Sequence, residues 1–120
     1  MNFITCDWDD STVHVTLFVR DYPVKGVSLD DLKPLIHEIR AKSTSMIIRV
    51  DMNRVPLTNM ELFKVILKIV KEVVDYTQDD KLLQQIRVVN TGFVFRTLYK
   101  PISLAIPKCF RDIIIFGDVL

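Results

Sequence analysis

Bond-making chemistry in a chain of 120 residues has to come from a small set of nucleophiles and bases, and here they are scattered. A nucleophilic Ser, Cys or Thr needs an adjacent base that a third group orients. The two histidines, His14 and His37, sit in no nucleophile-like motif, so each reads as a surface or boundary residue. Cys6 and Cys109 are far apart and read as reduced thiols, because pairing is favoured only in oxidising compartments. The run Cys6-Asp7-Trp8-Asp9-Asp10 offers oxygen ligands to a hard cation but lacks the loop and closing Glu of a calcium hand. It reads as a solvated acidic lead-in to the first strand. No GxGxxG or GxxxxGKS/T run is present to cradle a phosphate. The expectation is a protein without catalytic residues, metal or cofactor.

Two regions are left for binding. Asp51 closes a buried strand, and ligands of open α/β sheets commonly sit at the carboxyl ends of strands. It is the best single polar candidate; the alternative is that it caps a turn through Asn53. The segment containing Phe93, Phe95, Leu98, Tyr99 and Ile102 carries more apolar surface than one helix face needs. It can cover a lipid pocket, form a partner interface or pack on the sheet, core packing being the default.

The elements that position these residues follow from periodicity. Val13, Val15, Leu17 and Val19 alternate with polar residues as a half-buried strand does. Ser28 and Asp31 have the form of a capping box, followed by Leu32, Leu35, Ile36 and Ile39 at helical spacing. Pro34 would remove a backbone bond inside that helix, which predicts a start near Asp31 with the proline in the first turn. Residues 46–50 form a strand buried between layers. Thr58 and Glu61 repeat the capping signal. Behind them runs the strongest helix, with Glu61, Lys64, Lys68, Lys71, Glu72 and Asp75 as its wet stripe. Residues 86–89 and 113–116 make two more strands, and residues 93–106 a third helix broken at Pro101. The order β-α-β-α-β-α-β implies an α/β fold: a mainly parallel sheet of four strands, with room for a fifth, and three helices.

Composition sets the outer bounds. Apolar residues make up 49% and charged residues 26%, the balance of a globular protein, and the length suits one domain over residues 1–120. Sixteen basic and 15 acidic side chains give a net charge of +1. They are spread without a basic block, which argues against nucleic acid as partner. No apolar run approaches the roughly 20 residues of a transmembrane helix. The start of the chain is acidic, unlike a signal peptide, so a cytoplasmic location, or one in an intracellularly assembled complex, is expected.

From residue 46 to 117 the order of features resembles the CRAL-TRIO fold of lipid-transfer proteins. The matching pieces are Asp51-Met52-Asn53-Arg54 after a buried strand, a long helix, and Val88-Val89-Asn90-Thr91-Gly92-Phe93-Val94-Phe95. Leu98-Tyr99-Lys100-Pro101 and the closing Ile113-Ile114-Ile115-Phe116 complete the pattern. The resemblance implies that residues 93–106 correspond to the mobile helix gating the lipid cavity. Gly92 departs from the family's usual Pro. Asp112 stands where many members place a headgroup-holding Lys, which argues against phosphoinositide recognition of that kind; Arg111 beside it is the available substitute. The compact BCH group of the family serves mainly as a protein-binding scaffold. STAS domains share a related order, but their Asp-Ser-x-Gly phosphorylation signature is missing near Thr58.

Three functions follow as expectations. The first is a non-catalytic protein-interaction or structural module, including a minor component of a virus particle. The second is binding or transfer of a lipid or other hydrophobic ligand, and the third a STAS-like switch phosphorylated near Thr58.

Overall fold

The computed structural model describes residues 2–23, 25–55, 60–77, 81–91, 108 and 112–117. Among these, five strands form one sheet and two α-helices pack on it. The strands are β1 (Ile4–Asp9), β2 (Thr12–Phe18), β3 (Ser45–Asp51), β4 (Leu83–Val89) and β5 (Ile114–Gly117). The helices are α1 (Leu29–Lys42), between β2 and β3, and α2 (Met60–Thr77), between β3 and β4. A short 3-10 turn, Val19–Asp21, follows β2.

Strand order in the sheet follows chain order, β1-β2-β3-β4-β5. The three pairings from β2 to β5 are parallel, and β1 pairs antiparallel with β2, so the sheet is mixed. The expected strand order therefore lacks β1. Ile4, Cys6 and Trp8 are half-buried against the core while Thr5, Asp7 and Asp9 point to solvent, the period of two that a half-covered edge strand shows. What reads as an acidic lead-in is the wet face of that strand. A two-residue hairpin joins it to β2, with Asp10 at φ 54°, a left-handed conformation that Asp tolerates. The third helix expected over residues 93–106 lies outside the described residues.

Both helices pack on one face of the sheet, as right-handed crossovers between successive neighbours require. Val13, Val15 and Leu17 of β2, Met46, Ile48 and Val50 of β3, and Ile86 and Val88 of β4 form the floor of the core. Ile39 of α1 and Ile66, Leu67 and Val70 of α2 close it from above. Each buried aliphatic of this kind contributes about 1.5–3 kcal/mol of transfer free energy.

The capping box at Ser28 is present: Asp31 N–H donates to Ser28 Oγ, and Ser28 N–H donates to Asp31 Oδ2 at 3.1 Å. The helix begins at once behind that cap, so Pro34 lies inside α1 and not in its first turn. The carbonyl of Asp30, deprived of its donor by the proline ring, belongs to an exposed residue that water reaches. The cap wins over the proline because it satisfies amides that would otherwise be orphaned. Arg40 Nη1 donates to the carbonyl of Thr77 over 2.8 Å, placing a cation at the negative end of α2 and tying the helices together. The second capping signal, at Thr58, lies outside the described residues.

Candidate functional site

The carboxyl ends of β3 and β4 are built around Asp51. Its Oδ1 accepts from the Asn53 backbone N–H at 2.9 Å and from Asn90 Nδ2 at 3.0 Å. The first bond is an Asx turn, which redirects the chain as it leaves the strand. Asp51 thus caps the turn. Arg54 at φ 64° and Asn90 at φ 57° adopt left-handed backbones beside it. Thr91 Oγ1 is buried there with no hydrogen-bond partner among the described residues.

Between the sheet and the helical layer lies an apolar cavity of about 60 Å³. Phe3, Ile4, Val15, Leu35, Ile36 and Ile69 are among the residues lining it. Next to it, where β1 meets α1, a groove of about 370 Å³ runs along Cys6, Trp8 and Pro34, with Asp31 and Glu38 on its rim. Ile4 and Leu35 line both spaces, so they form the wall between them. Among the described residues the indole Nε1 of Trp8, buried in this region, finds no acceptor, and Lys42 Nζ stands 4.9 Å from the centre of the same indole. A buried donor left unpaired costs about 1–3 kcal/mol. Burial pushes the Cys6 thiol above its ordinary range, and the carboxylates of Glu38 and Asp7 push it further the same way.

The opposite face of the sheet is polar in a particular pattern. Thr16, Arg49, Arg87 and Ile115 stand side by side across β2 to β5, one pleat beyond the row His14, Ile47 and Gln85. His14, Ile47, Arg49, Gln85 and Arg87 line a pocket of about 80 Å³. Arg87 Nη2 donates to Gln85 Oε1 at 3.3 Å, and among the described residues neither arginine forms an ion pair.

Of the residues singled out from the sequence, the described structure includes Asp51 and Asp112. Asp51 has the structural role given above. Asp112 is exposed in the turn before β5. Phe93, Phe95, Leu98, Tyr99, Ile102 and Arg111 lie outside the described residues. Trp8 and the arginine row were not anticipated. The first required β1 to be recognised as a strand, and the second required the register between β3 and β4. Among the described residues no three His, Cys, Asp or Glu side chains come together where a metal ion could be held. None of the described helices is long and apolar enough to cross a membrane.

Neither a family model nor a curated protein matches the sequence. Among solved structures, the chain is similar to Sfh5, a CRAL-TRIO protein, with a TM-score of 0.58 at 15% identity. The match covers 96% of this chain and 46% of Sfh5, so the chain spans a little under half the length of that structure. At this identity the likeness shows the fold, and the chain has a CRAL-TRIO-like α/β fold.

Proposed function

We propose that this chain is a non-catalytic module that binds a small hydrophobic ligand in the groove between β1 and α1. The observation that carries this reading is the groove itself, walled by Ile4, Cys6, Trp8, Pro34 and Leu35. At about 370 Å³ the groove is within the range of small-ligand sites, about 300–1,000 Å³. The cavity behind Ile4 and Leu35 gives an apolar tail somewhere to go once that wall yields. The rim carboxylates Asp31 and Glu38 disfavour an anionic head beside Trp8, so a neutral ligand suits the groove. The CRAL-TRIO-like fold supports a lipid-like ligand in general terms.

Trp8 is the sole tryptophan, so its emission reports occupancy directly. Decanol should shift that emission saturably, and Leu35→Phe, which narrows the wall between groove and cavity, should weaken the effect about tenfold. Mass spectrometry of organic extracts from the purified protein should show a bound lipid-class molecule. An unresponsive Trp8 and an extract free of lipid, from protein that co-purifies with another chain, would return the assignment to a protein-interaction scaffold.

A further inference from the structure

The polar face of the sheet supports a second site, independent of the groove because it lies across the sheet from it. Arg49 and Arg87 are in-register neighbours on adjacent parallel strands, and their side chains line one pocket. Like charges placed opposite one another across strands are destabilising, and a sheet without another use for them is expected to separate them or place an acid between them. Here the charged residues lining the pocket are the two arginines, with no carboxylate among its described lining residues. Asp51 is two positions along β3 from Arg49, but its Oδ1 is taken by Asn53 and Asn90. Asp7 is the cross-strand neighbour of His14, one strand further away.

Both arginines are half-buried, and Gln85 holds the Arg87 fork through its Nη2. Two guanidinium groups presented side by side on rigid strands form a pre-arranged set of donors for a tetrahedral oxyanion, which planar forks bind in pairs of parallel hydrogen bonds. The pocket, of about 80 Å³, has room for a group the size of one phosphate. We propose that Arg49 and Arg87, with Gln85 and His14 around them, bind a single phosphate group, either free or as the terminal group of a small molecule or lipid.

The test compares the 120-residue chain in chloride and in inorganic phosphate at equal ionic strength, using urea unfolding. Phosphate should raise the folded-to-unfolded ratio by the factor 1 + [phosphate]/Kd, and either Arg49→Gln or Arg87→Gln should raise Kd at least tenfold. In chloride the same single variants should unfold at the same or higher urea, since each relieves the repulsion. A merely structural role would not produce that opposite sign. Arg49→Lys keeps the charge without the fork and should bind phosphate weakly, which guards against a Gln variant that folds poorly. Sedimentation with phosphatidic acid vesicles, against phosphatidylcholine vesicles, separates the sources. Arginine-dependent capture by the former assigns the group to a lipid headgroup, and a response to inorganic phosphate alone assigns it to a soluble molecule. An equal phosphate effect in the Arg49→Gln/Arg87→Gln double variant, or no response to either probe, would overturn the site.

Discussion

The side-chain amide of Asn90 donates to Asp51 Oδ1 across 3.0 Å, joining the ends of two parallel strands that are 39 residues apart in the chain. The same oxygen receives the Asn53 N–H, so one carboxylate holds both strand exits. Replacing Asp51 with Ala removes two hydrogen bonds to a charged acceptor at a partly exposed position, and a loss of about 1–3 kcal/mol is expected in urea unfolding. A loss below about 0.5 kcal/mol would show that water replaces the carboxylate without penalty.

Asn90 contributes both its amide and its left-handed backbone, and two substitutions separate these. Asn90→Gly keeps the φ of 57° at little steric cost and forfeits only the side-chain bond, whereas Asn90→Ala forfeits both. The alanine variant should therefore be the less stable by about 1 kcal/mol. Equal stability would mean that the strand exit relaxes to an ordinary backbone conformation.

Packing makes a sharper contrast. Ile86 is fully enclosed under α2, while Ile115 is 44% exposed on the neighbouring strand. Ile86→Ala should cost about 2–5 kcal/mol through lost burial and the cavity left behind, and Ile115→Ala should stay near 0.5 kcal/mol. Similar costs for the two would be inconsistent with the core described above.

The cap of α1 has a pH signature. The Ser28 backbone N–H, and then its hydroxyl, hold the Asp31 carboxyl below its ordinary range. A depressed folded-state value contributes stability that is complete above the unfolded value of about 3.9 and disappears as pH falls through the lower folded value. The stability difference between the native chain and Asp31→Asn should accordingly be flat at neutral pH and shrink below about pH 4. Ser28→Ala removes the hydroxyl but keeps the backbone N–H, the larger cause, and should abolish only the smaller part of that dependence; a difference unchanged down to pH 2 would exclude the cap as its origin.

Cys6 supplies a kinetic reading. Burial, with Glu38 and Asp7 adding to it, raises its thiol pKa, so on a Cys109→Ser background iodoacetamide should react more slowly than with a free thiol at pH 8. Glu38→Gln removes one of the two carboxylates and should move the midpoint of the rate profile to lower pH. A profile that stays in place would leave burial and Asp7 as the causes.

The parts of the fold that can be read along the chain are those set by one element at a time. The alternation at Val13, Val15 and Leu17, the cap at Ser28 and the wet stripe of α2 each depend on neighbours within a few residues, and each is present. β1 is hidden because its solvent-facing Asp7 and Asp9 outweigh the weaker signal of Ile4, Cys6 and Trp8. Pro34 misplaces the start of α1 because the local rule against proline carries no information about the strength of the cap behind it. Arg49 and Arg87 are each visible in their strands, but their adjacency is a property of the register between β3 and β4. The groove at Trp8 depends on β1 meeting α1, a contact between elements with no signature in either stretch alone.

The sheet is laid down in the order of synthesis: each strand from β2 onward takes its place beside the one made just before it. Every new edge is thus ready for the next arrival, and none of the described strands is inserted between two that have already paired. Such a chain can assemble progressively as it leaves the ribosome, with loop-closure costs met a short stretch at a time.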